Sequence, residues 1–151
     1  MRSIFISPFH GIFPGTLWCG AGSAADSDED LGLFQDTDTC CREHDHCPLN
    51  LAPGQTFFIG VSLPLYNDAS TTASHCDCEE RFYNCLKSSS NLISYKIGKN
   101  YFNILAMPCF TYDYPIERCV QYEGFIKEKC VEYEVDVSAP RTWQWRDSRS
   151  Y

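Results

Sequence analysis

The chain has 151 residues, enough for one domain of ordinary size, with 10 cysteines and a formal charge of −8 from 20 Asp and Glu against 12 Lys and Arg. At 44% hydrophobic and 15% aromatic it can bury a core and is not a disordered chain. The acidic balance excludes a basic nucleic-acid-binding face and recruitment to anionic membranes by charge alone, and no run of about 18 apolar residues exists to span a bilayer.

Residues 1–151 read as a single domain without repeats or a linker, and residues 1–11 as an N-terminal extension. Residues 1–22 are irregular, because Pro8, Gly11, Pro14, Gly15, Gly20 and Gly22 forbid a stable helix. The opening MRSIFISPFHGIF has one Arg, no long apolar stretch and no small-residue cleavage motif, so it reads as a mature or trimmed chain. No N-x-S/T glycosylation sequon occurs. Residues 26–30, DSDED, form a solvated acidic turn. The first helix begins at Asp36-Thr37-Asp38-Thr39, which are good caps at an end that favours acids, carries CCREHDHC and stops at Pro48. Residues 49–72, with Pro53, Gly54, Gly60, Pro64 and Asn67-Asp68, make a long loop. A second helix starts near Ser74, capped from TTAS. A third spans about Leu92–Leu105, weakened by Gly98. Cys119–Cys130 reads as a hairpin turning near Glu123-Gly124. Val131, Tyr133, Val135 and Val137 alternate with acids as a half-buried strand.

Ten cysteines predict about five disulfides and an oxidising compartment. Zinc is the rival, since Cys and His crowd together in CCREHDHC and HCDC. The adjacent Cys40-Cys41 and tight Cys76-Asp77-Cys78 lack the spacing of structural zinc sites, and a thiol count near zero in unreduced protein would remove that reading. On a helix each residue turns about 100°, so Cys40 and Cys47 share a face with His44 nearby, and Cys78 and Cys85 have the same spacing. Two rungs, Cys40 to Cys85 and Cys47 to Cys78, would join antiparallel helices and lock His44 against the second, close to Glu79. Spacing alone leaves other pairings open.

Asp45 points about 100° away from His44 and lies on the side of Cys41. If Cys41 pairs with Cys19, the glycine turn Trp18-Cys19-Gly20-Ala21-Gly22 sits beside Asp45, and its carbonyls with one carboxylate make an oxygen cage suited to Ca²⁺. His44 reads as a general base oriented by a carboxylate, against the plainer reading of a histidine packed between disulfides. His46 and His75 read as surface residues; His10 has no reading. Gly20-Ala21-Gly22-Ser23-Ala24-Ala25 follows no strand and so is no dinucleotide fingerprint. Asp26, Asp28 and Asp30 lack the Gly and Glu an EF-hand loop requires. No serine lies in a G-x-S-x-G context.

PGTLWCGAG at 14–22, LGLFQDTDTCCREHDHCP at 31–48, ASHCDCEERFYNCLK at 73–87, IGKNYFNIL at 97–105 and the tail TWQWRDSRSY resemble the bee-venom-type (group III) secreted phospholipases A2 from about Ile12 to Tyr151, except at 49–72. The combination of W-C-G-x-G with C-C-R-x-H-D-x-C is a highly specific part of that resemblance. The resemblance implies a mainly α, disulfide-rich fold: two disulfide-linked antiparallel helices, a third helix, a Ca²⁺-binding loop and a small β-hairpin. It implies Ca²⁺ on the carbonyls of Trp18, Gly20 and Gly22 and on Asp45, with His44 activating the water that hydrolyses the sn-2 ester of a glycerophospholipid. It also implies the disulfides Cys19–Cys41, Cys40–Cys85, Cys47–Cys78, Cys76–Cys109 and Cys119–Cys130. Tyr101 matches a tyrosine supporting the carboxylate that orients the histidine. That carboxylate is usually Asp; here it is Glu79, one methylene longer, and a misplacement of about 1 Å can cost a hundredfold in rate. Asp77 and Glu80 are weaker candidates because they face other directions.

The expected protein is thus a secreted, extracellular, monomeric enzyme acting peripherally on a phospholipid membrane surface or micelles. The alternative is a non-catalytic protein of the same scaffold that binds a receptor or channel. Ile4, Phe5, Ile6, Phe9, Ile12 and Phe13, or Phe57, Phe58, Ile59, Leu63 and Leu65, either enter the headgroup layer or pack inside. With a charge of −8, binding is expected not to depend on anionic lipid.

Overall fold

The structure, a computed structural model, describes residues 11–58, 64–124 and 126–151. Its centre is a pair of helices, α1 (Gln35–Asp45) and α2 (Cys76–Ser89). Disulfides Cys40–Cys85 and Cys47–Cys78 join them. Cys47, just past the end of α1, meets Cys78 at the start of α2, while Cys40 within α1 meets Cys85 further along α2, so the helices run antiparallel. Cys19–Cys41, Cys76–Cys109 and Cys119–Cys130 complete the set, and no described cysteine is free, which removes the zinc reading.

Neither helix starts on its expected cap. Phe34 precedes α1 and makes no side-chain cap bond, while Thr37 and Asp38 lie inside the first turn, fully buried. Thr37 Oγ1 lies 2.6 Å from Ser94 Oγ, and Asp38 reaches toward the chain before the helix. Residues of the TTAS stretch are drawn into a strand instead: β4 (Ala73–Ser74) pairs with β1 (Asn50–Leu51). His75 then caps α2, its Nδ1 accepting from the Asp77 amide at 3.0 Å. The His75 ring packs edge-on against Phe110 and Trp143, so it is not the surface residue expected.

The third helical segment is two elements. Helix α3 (Leu92–Gly98), capped by Asn91, runs directly into a π-helix, Lys99–Leu105. Such wide turns often mark functional positions. Here Tyr101 and Phe102 are both buried, Tyr101 against His44 and Phe102 against Tyr83 and Tyr151. Gly98 costs helix propensity but leaves the space that the Tyr151 ring fills; a Cβ there would collide with it. Asn103 and Tyr151 exchange two hydrogen bonds of 2.9 and 2.7 Å, fastening the last residue to the π-helix.

Strand pairing exceeds the single expected hairpin. β6 (Ile116–Glu123) and β7 (Lys129–Val135) form that hairpin, with Gly124 at φ +118° in the turn. Val137 lies beyond its end and is exposed. β5 (Cys109–Asp113) pairs antiparallel with β8 (Thr142–Arg146), and β2 (Thr56–Phe57) with β3 (Leu65–Tyr66). The long loop is pinned by buried Asn67, whose Nδ2 donates to the carbonyls of Leu51 and Thr71 at 2.9 Å each.

Two cores result. One joins Phe13, Trp18, Phe82, Tyr83, Leu86, Ile97, Tyr101 and Phe102 around the rungs; the other joins Leu51, Leu65, Ala73, Met107 and Phe110 under Trp143 and Trp145. Of the residues considered for headgroup insertion, Phe13 and Leu65 are buried, Phe57 packs edge-on on Trp143, and Phe58 is 74% exposed. Ile4, Phe5, Ile6, Phe9, His10, Ile59 and Leu63 lie outside the described residues. No helix among the described residues is long and apolar enough to cross a membrane.

Lys129 is a buried cation whose Nζ donates to the carbonyls of Phe102 (2.7 Å) and Arg149 (2.8 Å). Lys129→Met strands both carbonyls and is expected to lower stability by about 2–4 kcal/mol in urea denaturation. Burial pushes the Lys129 ammonium down to about 8, with Asp147 opposing. The folded chain therefore releases this proton near pH 8 and the unfolded chain near 10.5. This group's contribution to stability rises with pH over that interval, and the variant lacks that rise.

Candidate active site

His44 lies in the last turn of α1 and Glu79 in the first turn of α2, brought face to face by the two rungs. His44 Nε2 is 2.6 Å from Glu79 Oε1. Tyr101, arriving from the π-helix, donates to the same oxygen at 2.9 Å and lies 3.3 Å from His44 Nε2. The longer glutamate reaches its partner, so the extra methylene does not break this contact. Asp77 is exposed beside His75, and Glu80 pairs with Arg149 at 2.7 Å; neither reaches His44.

The environment is dry on one side. Phe82 stacks on the His44 ring, centroids 4.3 Å apart at 19°. Burial, then the neighbouring Glu79 charge, pushes the Tyr101 phenol well above 10, so it remains a hydrogen-bond donor. Glu79 is itself buried, and its Oε2 has no hydrogen-bond partner among the described residues.

The glycine turn closes around the other end of the site. Phe13 N–H donates to the Cys19 carbonyl at 2.7 Å and Ala24 N–H to the Leu17 carbonyl at 2.7 Å. Gly20, at φ +150°, passes so close to the Gly11 carbonyl that a Cβ would collide with it, and Gly22 is left-handed at φ +71°. Trp18, Gly20, Gly22, His44, Asp45 and Tyr101 all line one cavity of about 510 Å³. His46 is exposed beside Asp28, 3.4 Å away.

Asp45 carries the test of a cation at this turn. Burial pushes its carboxyl from 3.8 to about 7; the adjacent His44 pulls it down and Asp38 adds to the rise. A carboxylate so placed gains from a positive charge. Among the residues lining this cavity Asp45 is the one carboxylate, beside Trp18, Gly20 and Gly22, so the donors considered at the turn are main-chain carbonyls with one carboxylate. That donor set fits a hard cation such as Ca²⁺ and not zinc or copper.

Two residues of this site escape a reading of sequence pattern. Asp38 sits among apparent caps, yet its carboxylate accepts from the amides of Leu17 (2.8 Å), Trp18 (2.9 Å) and Gly32 (2.8 Å). The available signal was its spacing: seven residues before Asp45, on the same helix face. Phe82 stands three residues after Glu79, and so on the same face as the carboxylate.

The family model described as Phospholipase A2 matches residues 12–113. A phospholipase A2 of Apis dorsata is 44% identical over 93% of this chain and 99% of its own length, and one of Apis mellifera 42% identical over 93% and 80%. A group 3 secretory phospholipase A2 of Homo sapiens is 44% identical over 72% of this chain and 20% of its own. With more than half its length matched by the family model and relatives above 40% identity over 93% of the chain, the chain belongs to the phospholipase A2 family.

Proposed function

We propose that this chain hydrolyses the sn-2 ester of glycerophospholipids at a membrane or micelle surface, releasing fatty acid and lysophospholipid. The observation that carries the reading is the His44–Glu79–Tyr101 network opening onto the same cavity as Asp45 and the glycine turn. Glu79 engages His44 Nε2, which leaves Nδ1 to take a proton from water. The water oxygen attacks the ester carbonyl carbon. As the tetrahedral intermediate collapses, the imidazolium returns its proton to the leaving glycerol oxygen. The Glu79 carboxylate stabilises that imidazolium, and Tyr101 holds the carboxylate. The Gly20 amide, in the lining of the same cavity, would donate to the oxyanion. Trp18, Gly20 and Gly22 carbonyls with Asp45 would hold Ca²⁺, which when bound polarises the ester carbonyl and offsets the oxyanion charge.

The five disulfides suit an oxidising compartment and so support action outside the cell. The test is fatty-acid release from phosphatidylcholine vesicles labelled separately at sn-1 and sn-2, with Ca²⁺ and with EGTA. Release from sn-2 alone, abolished by EGTA and lowered about a hundredfold or more by Asp45→Asn, is expected. Absence of release from any lipid while Ca²⁺ still binds would instead favour a receptor- or channel-binding role.

A further inference from the structure

We propose that Asp38 is a positioning residue that holds the glycine turn in its cation-binding form before any cation arrives. The inference rests on the Ca²⁺ reading of that turn but concerns a residue that does not touch the cavity's contents. Asp38 is fully buried and pairs with no Lys or Arg among the described residues. Its three hydrogen bonds all come from main-chain amides: Leu17 and Trp18 on one side of the turn, Gly32 on the other. Main-chain N–H groups converging on one carboxylate are strong, directional bonds.

These bonds orient peptide planes. The Trp18 N–H gripped by Asp38 belongs to the same peptide unit as the Leu17 carbonyl, and that carbonyl accepts from Ala24 across the turn. The chain Asp38, peptide 17–18, Ala24 therefore closes residues 17–24 on themselves and sets which way the carbonyls between them can face. At the far side, the Trp18 indole donates to the Asp30 carbonyl at 2.8 Å, and Gly32, whose Cβ would collide with the Gly15 carbonyl, is drawn in by Asp38. The Cys19–Cys41 bond anchors one point of the turn but does not itself set the peptide planes; the Phe13 N–H holds the Cys19 carbonyl, and Asp38 holds the 17–18 peptide. Asp38 and Asp45 stand two helical turns apart on one face of α1, about 10 Å along the axis. One helix thus supplies both the clasp and the single carboxylate of the site. Ordering completed at folding is not charged to cation binding, so affinity depends on the clasp.

The experiment uses the intact disulfide-bonded protein and Ca²⁺ alone. Calcium binding is measured by titration calorimetry for the wild type, Asp38→Asn and Asp45→Asn, and amide hydrogen exchange is followed at Leu17, Trp18 and Gly32 in EGTA. Asparagine at 38 offers one acceptor oxygen and turns an amine toward an N–H. Asp38→Asn should weaken Ca²⁺ binding tenfold or more while its far-UV circular dichroism and disulfides stay those of the wild type. The three amides should be protected in metal-free wild type and lose protection in the variant. A folded Asp38→Asn protein that binds Ca²⁺ within twofold of the wild type would overturn the proposal. So would fast exchange of the three amides in metal-free wild type, a result that decides the matter even if the variant does not fold. Absence of Ca²⁺ binding by the wild type would instead sink the cation reading, with amide protection still reporting on the clasp.

Discussion

Glu79→Gln is expected to lower kcat for sn-2 hydrolysis by about three to four orders of magnitude, with the fold intact. One carboxylate oxygen now accepts from both His44 and Tyr101, at 2.6 and 2.9 Å. A carboxamide can keep one acceptor there, but it carries no charge to stabilise the imidazolium and can present an N–H that selects the wrong histidine tautomer. Replacing the orienting carboxylate of a histidine base by its amide costs about 10⁴ in another hydrolase family with the geometry unchanged. Because Phe82 and the two rungs still hold the ring, KM should change little. The check is kcat on vesicles labelled at sn-2 together with the urea midpoint. Retention of more than a tenth of the wild-type kcat would remove Glu79 from the mechanism. Glu79→Asp is the informative companion. The charge stays, but the oxygen retreats by about 1 Å from a ring whose position is set by Cys40–Cys85, Cys47–Cys78 and Phe82, and a loss of roughly ten- to a hundredfold follows.

The second large effect is on stability. The double variant Cys40→Ala, Cys85→Ala opens a loop of sequence separation 45 between the two central helices, in a buried position. Loop-closure entropy assigns that cross-link about 4 kcal/mol. For a domain of this size the corresponding fall in Tm is about 8–16 °C by scanning calorimetry. Cys119→Ala, Cys130→Ala is the control. Its separation is 11, about 3 kcal/mol by the same argument, and the β6–β7 ladder already holds the two strands together. It should lower Tm by less and leave kcat within about twofold, since His44, Glu79 and Tyr101 are carried by α1, α2 and the π-helix and not by the hairpin. Equal losses from the two variants would contradict the assignment of the helix pair as the mechanical centre of the site.

The helix pair and the partners of His44 were legible because helical periodicity is local. Residues seven apart share a face, so the matched spacings Cys40/Cys47 and Cys78/Cys85 already pointed His44 at the helix carrying Glu79. The glycine turn was legible for the same reason, since Gly20 and Gly22 adopt backbone conformations that residues with a Cβ avoid. What required the tertiary structure is what distant chain decides. Asp38 has the same local pattern whether its carboxylate caps its own helix or clasps amides about 20 residues earlier. Gly98 reads as a weak point until Tyr151, 53 residues on, fills the space it leaves. His75 reads as polar surface until β5 and β8 bring Phe110 and Trp143 to its ring. The π-helix that brings Tyr101 to His44 has no signature of its own in the sequence. Sequence by itself determined which residues could do the chemistry and which helices carry them. The tertiary structure decided which carboxylate holds the turn, because that assignment rests on hydrogen bonds from Asp38 to residues far from it in the chain.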